Sequence, residues 1–295
     1  MAARFCYKLA QHLISRNKSL VPSHLRKFLR FNPFYLRLGM EQALAAIGAE
    51  FPQEKFPKLE FEVDRRDAMY VHDHPAHYFY VAYSALACIQ VVQAKLYVET
   101  FSSILDLPCG HGRVLRALKA AFPEASFAAC DLDEHGVDFC ARTFGAAGVY
   151  SNVDPRMIHI HAKFDLIWVG SLFTHLSDDR WSSFLDLFSS VLVKDGLLFF
   201  STHGHFVVER LERFSKFYGL SPEQIELVKL QYRTCGFGYA DYRGSPGYGI
   251  SLSAAEWVKS FIGSHSFDLL AFMPSAWDKH HDIWVVKPKI IGTSA

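Results

Sequence analysis

The stretch on which the fold turns is Ile104-Leu105-Asp106-Leu107-Pro108-Cys109-Gly110-His111-Gly112-Arg113-Val114-Leu115. An apolar strand ends in an acid, passes two glycines and enters a helix. Gly110 and Gly112 lack a Cβ, so the backbone can approach a ligand closely there. The helix N-terminus beyond them offers unpaired N–H groups that favour a carboxylate. A plain strand-to-helix turn can have the same form, so the surrounding sequence has to decide.

From Ser102 onward, short runs rich in Ile, Leu, Val and Phe alternate with helical patterns. That alternation predicts an α/β fold with a doubly wound, mostly parallel sheet covered on both faces. Strands are expected at Ile104–Leu107, Phe127–Asp131, Val149–Ser151, Asp165–Val169 and Leu197–Thr202, then Asp268–Met273 and Asp282–Lys287. Helices are expected at Arg113–Ala121, Glu134–Phe144 and Asp178–Leu192, the last with Ser177 as N-cap. Residues 203–250 break the rhythm and read as an insertion over the site mouth, with a capped helix from Ser221 and a Gly/Tyr-rich stretch after Cys235. Ser253-Ala-Ala-Glu256 has the form of a capping box. Residues 1–101 read as a helical extension broken by prolines, and 102–290 as the main domain.

The chain of 295 residues has a formal net charge of +1, which gives no reason to expect nucleic acid as a partner. Basic residues concentrate at the start, where Arg4, Lys8, Arg16, Lys18, Arg26, Lys27, Arg30 and Arg37 precede the first acid, Glu41. Such a start suits a helix docked on its own domain, a transit peptide, or peripheral contact with an anionic membrane surface. No apolar run has the length and composition expected of a membrane span. The six cysteines are scattered without metal-binding spacing, and no metal site is expected from them; they read as reduced thiols of a cytoplasmic protein. His72, His74 and His77 with Asp73 read as a polar loop.

Asp131 ends the next expected strand, about one βαβ step beyond the turn, where an acid can accept both hydroxyls of a ribose. A nicotinamide enzyme shares that logic but normally shows G-x-G-x-x-G. Here Pro108 precedes the turn and Leu115 stands where the last glycine would fall.

These residues resemble motif I and the following acid of class I, Rossmann-like, S-adenosylmethionine-dependent methyltransferases. Phe164-Asp-Leu-Ile-Trp-Val-Gly-Ser-Leu-Phe-Thr-His175 is similar to the family's fourth-strand motif, and Val193-Lys-Asp-Gly-Leu-Leu-Phe-Phe200 to its fifth-strand turn. The resemblance implies a seven-stranded sheet with an antiparallel last strand, and S-adenosyl-L-methionine as cofactor. It places Asp106 near the methionine amino group, the backbone of Pro108, Cys109, Gly110 and Gly112 beneath the methionine part, and Arg113 toward its carboxylate. It places Asp131 on the ribose, Leu132 on the adenine, Asn152 near the adenine, and Gly170 and Ser171 along the pocket.

Methyl transfer to a hydroxyl needs a group that removes the proton, for which His175, His203 and His205 are the candidates because they follow the fourth and fifth strands. Most of the fifteen histidines must have no such role. Tyr232, Phe237, Tyr239, Tyr242 and Tyr248 suit either a stacking lid or the core of a small subdomain. The expected function is methyl transfer to an oxygen of a small molecule or glycan. The alternatives are a non-catalytic scaffold that keeps the fold, and a nicotinamide-dependent oxidoreductase.

Overall fold

Ser103–Asp106 forms strand β1, flanked by β2 (Ser126–Asp131) and β4 (Phe164–Val169), both parallel to it. The computed structural model describes residues 29–71, 74–214 and 218–289. The first six basic residues, with the membrane reading they carry, and His72 and Asp73 lie outside the described residues.

Beyond β2 lies β3 (Ala147–Tyr150), and beyond β4 lies β5 (Leu192–Thr202). The seven-stranded sheet has the order β3-β2-β1-β4-β5-β9-β8, with β8 at Phe267–Trp277 and β9 at His281–Pro288. The final strand is the antiparallel one, inserted between β5 and β8. Strand order reverses between β1 and β4, and this opens a crevice beyond their carboxyl ends. In β5 the register slips: Leu192 faces Phe164 but Leu197 already faces Leu166, so Lys194-Asp195 bulge outward. Strand β5 therefore starts earlier than its apolar run suggests.

Helices α1 (Pro33–Glu50) and α2 (Pro75–Leu96) form the N-terminal extension. By length and composition α2 suffices to cross a membrane, yet 67% of its most apolar window is buried inside the protein. Phe79, Leu86 and Ile89 share one core with Ile104, Trp168 and Phe199 of the sheet. Burying a side chain of this kind is worth roughly 1.5–3 kcal/mol before the entropy cost of ordering it, which makes α2 part of the domain's core rather than a separate appendage. Helices α3 (Leu115–Ala121) and α4 (Glu134–Phe144) cover the same region, and α5 (Asp178–Val191) lies on the opposite face with α8 (Ala255–Gly263).

The insertion contains α6 (His205–Arg213), α7 (Pro222–Cys235) and a separate hairpin of β6 (Phe237–Tyr242) and β7 (Ser245–Ser253). Ser221 and Gln224 close the capping box of α7. The expected box at Ser253 is not formed. Ser253 belongs to β7, its N–H donates to the His203 carbonyl at 2.9 Å, and Ala254 is the N-cap instead. Ser177 sits at the N-cap of α5 without a side-chain hydrogen bond. Val207, Leu211, Ile225, Val228, Ile250 and Leu252 give the insertion a core of its own.

Candidate active site

A cavity of about 520 Å³ opens where β1, β2 and β4 end. The expected residues Asp106, Pro108, Cys109, Gly110, Arg113, Asp131, Leu132, Asn152, Gly170 and Ser171 all line it. Gly112 does not. It has φ +72, and a Cβ there would lie 2.4 Å from Phe144 Cε2, so its role is the close approach of α4 to the turn. Gly136 of α4 does the same from the other side, where a Cβ would come within 2.3 Å of the Gly110 carbonyl.

Two carboxyls set the electrostatics. Asp106 is 1% exposed, and its Oδ2 has no hydrogen-bond partner. Burial, reinforced by the charge of Asp131, raises its pKa well above the ordinary carboxylate range. Asp131 Oδ2 accepts from the Gly110 N–H at 2.7 Å and Oδ1 from the Asp133 N–H at 2.9 Å. Those bonds fix the carboxyl across the turn, while each oxygen keeps a further lone pair for a ligand donor. Burial raises the Asp131 pKa too.

The opposite wall is aromatic. His175, in a 3₁₀ turn after β4, places its Nδ1 2.7 Å from the Gly249 carbonyl. A carbonyl only accepts, so Nδ1 carries the proton and Nε2 keeps the basic lone pair. Burial lowers the His175 pKa from 6.5, partly countered by that bond. The Tyr248 ring stacks on His175 with centroids 5.0 Å apart, and Tyr242 Oη lies 3.4 Å from Nδ1. Ser171, at φ +59, turns the chain beside the cavity, with its N–H bonded to Ser201 Oγ at 2.8 Å. Trp168, whose buried Nε1 has no partner, lines the floor together with Trp277.

Of the other two histidines, His203 is buried outside the cavity lining, and His205 is exposed on α6 and pairs with Glu209 at 3.3 Å. Neither reaches the cavity, because the chain after β5 turns into the insertion. The five aromatics divide between the two readings. Tyr248 lines the cavity, Phe237 packs on Trp181 and Trp257, Tyr239 packs against the core beneath α5 and α8, and Tyr232 and Tyr242 pack against the insertion's own core.

Sequence reasoning missed the contribution of the extension, since Asp67, Ala68 and Met69 line the cavity. Arg116 connects them to the turn. Its Nη1 donates to the carbonyls of Glu60 at 2.8 Å and Glu62 at 2.9 Å, and its Nε to Gly112 O at 3.1 Å. Its Nη2 donates to Tyr78 Oη at 3.2 Å, and Tyr78 in turn donates to Asp67 Oδ2 at 2.6 Å. Arg116 looks like one more charge on α3. Its one legible signal is that, in the expected helix, it stands among the apolar Val114, Leu115, Ala117 and Leu118.

Part of the chain is similar to known proteins. Residues 105–198 match a family model described as "Methyltransferase domain". A malonyl-[acyl-carrier protein] O-methyltransferase of Acetivibrio thermocellus is 25% identical over 137 residues, which are 44% of this chain and 48% of that protein. The chain thus spans about half the length of this curated relative. Among solved structures, DesVI of Streptomyces venezuelae aligns with TM-score 0.52 at 15% identity, over 77% of this chain and 100% of the other. An S-adenosylmethionine-dependent methyltransferase of Clostridium acetobutylicum aligns with TM-score 0.47 at 16% identity, over 71% and 92%.

Proposed function

We propose that this chain, which carries a class I methyltransferase domain, binds S-adenosylmethionine and methylates a hydroxyl of a small-molecule acceptor, with His175 as general base. The observation that carries the reading is the buried, unpartnered Asp106 Oδ2 facing a cavity floored by the 107–113 turn. A buried carboxyl oxygen left without a partner in such a place costs stability unless a ligand donor completes it.

The residues present fit the cofactor. Asp106 suits the methionine amino group, Asp131 the ribose hydroxyls, and Leu132, 59% exposed at the cavity edge, an adenine face. Arg113 lines the same turn and suits the methionine carboxylate. When bound, the cofactor supplies an electrophilic methyl group on a sulfonium.

The acceptor side follows from the aromatic wall. His175 Nε2 takes the hydroxyl proton as the oxygen becomes a nucleophile, and the lowered pKa keeps that nitrogen unprotonated near neutrality. Tyr248 offers a stacking surface that orients the acceptor, and Asp67–Met69 and Pro246–Tyr248 narrow the mouth and exclude water. A cavity of about 520 Å³ shared with a cofactor leaves room for a small acceptor, which supports a small molecule over a polymer.

The test is calorimetric binding of S-adenosylmethionine and S-adenosylhomocysteine to the wild type and to Asp131→Ala, followed by an acceptor screen. Micromolar binding weakened by about 1–3 kcal/mol in the variant supports the reading. Absence of binding by folded wild type refutes it and leaves a scaffold that has kept the fold.

A further inference from the structure

We propose that His203, His280 and His281 form a site for one divalent transition-metal ion of the zinc class, separate from the cavity, that fastens the insertion to the sheet. One ring nitrogen from each of the three lies within 4.8 Å of the others. Sites that bind through three imidazoles suit Zn²⁺, Ni²⁺ or Cu²⁺, with a fourth position left to water or a neighbour.

One nitrogen of each ring has a polar neighbour in place. His203 Nδ1 faces the Ser251 carbonyl at 3.2 Å, His281 Nδ1 faces Ser201 Oγ at 3.3 Å, and His280 Nε2 is hydrogen-bonded to the Tyr218 hydroxyl. Metal-binding histidines are commonly oriented in this way, with one nitrogen held by a hydrogen bond and the other left for the ion. At a tetrahedral centre with bonds of about 2.1 Å, ligand nitrogens stand roughly 3.4 Å apart, so small side-chain rotations close the site.

The backbone prepares the same place. His280 and His281 follow Asp278 and Lys279, two non-glycine residues at φ +55 and +53, the left-handed region that side chains other than glycine seldom adopt. External anchors hold that turn: Asp278 pairs with His77 at 3.1 Å, and Lys279 with Glu50 at 2.8 Å. His203 is fixed to β7, whose Ser253 N–H donates to its carbonyl at 2.9 Å. An ion here would therefore join the start of the insertion after β5 to the β8–β9 turn, with the hairpin held alongside by its hydrogen bonds to His203. None of the three lines the cavity, and His281 Nδ1 lies 3.5 Å from Ser171 Oγ on its wall, so bound metal and melting temperature rather than turnover are the readouts.

The experiment strips the full chain with a chelator, reconstitutes it with Zn²⁺ alone, dialyses it, and measures bound metal and melting temperature. The comparison variants are His280→Gln/His281→Gln and the exposed His205→Gln. One ion per chain and a raised melting temperature are expected in the wild type and in His205→Gln, with both lost in the double variant. No ion retained by the folded wild type, or equal retention by the double variant, overturns the proposal. Should the double variant fail to fold, Co²⁺ titration of the wild type decides. Intense visible bands of a four-coordinate, nitrogen-rich centre support the site, and the weak bands of a six-coordinate aquo ion refute it.

Discussion

Replacing Arg116 by Met removes a guanidinium that is 1% exposed while retaining an apolar stem of similar length. Among the described residues no carboxylate stands within ion-pair distance of it; its charge is met by carbonyls, the Tyr78 hydroxyl and the rings of Tyr78, Phe79 and Phe144 at 5.2, 5.6 and 5.3 Å. Leaving the Glu60 and Glu62 carbonyls without a donor costs roughly 1–3 kcal/mol each, and the lost ring contacts about 0.5–1 kcal/mol each. Relief from desolvating a cation offsets part of this, for a net loss of about 2–4 kcal/mol. At roughly 2–4 °C per kcal/mol for a domain of this size, the melting temperature falls by about 5–15 °C. Urea denaturation gives the free energy, and calorimetry with S-adenosylhomocysteine gives the functional half. Affinity is expected to fall too, because Arg116 ties the extension at the cavity mouth to the turn that floors it. Arg116→Lys rescues little, since a single ammonium cannot reach both sides with fixed geometry. A variant within about 1 kcal/mol of wild type, with unchanged affinity, would refute the idea that this side chain joins extension and site.

Asp106→Asn is expected to weaken S-adenosylmethionine at least tenfold. Because the Asp106 pKa is raised, pairing with an ammonium releases a proton, so wild-type affinity rises with pH and this dependence flattens in the variant. Titrations across pH in buffers of different ionisation enthalpy check this. His175→Gln should lower kcat by roughly 10²–10⁴ with cofactor affinity unchanged. The acidic limb of the wild-type kcat/KM profile should fall below pH 6.5, since burial lowers the His175 pKa and activity is lost as that ring protonates. Gly136→Ala should cost cofactor affinity more than global stability: its Cβ, 2.3 Å from the Gly110 carbonyl, pushes on the turn itself, whereas Gly145→Ala, which meets nothing within 4 Å, should perturb stability alone through its φ of +68.

What local sequence determines here is whatever a short run of residues can specify by itself. The strand-acid-glycine turn at 104–112, the acid at Asp131 and the alternation of apolar runs with helical patterns carry the sheet, its crevice and ten of the expected cavity residues, because strand parity and glycine backbone freedom act over a few positions. The capping box at Ser221 was legible for the same reason. The rest depended on partners distant in the chain. Ser253 has the residues of a cap, but its N–H is taken by His203, 50 positions earlier, so the strand prevails over the local signal. His203 and His205 follow β5 as His175 follows β4, yet only His175 faces the cavity, since the insertion carries the chain away after β5. Arg116, the Asp67–Met69 rim and the gathering of His203 with His280 and His281 are juxtapositions of segments far apart in sequence. Only the packing of α2 on the sheet and of the insertion against β5 and β9 brings them together, because burial of apolar surface is non-directional and sets no pairing until the whole core is assembled.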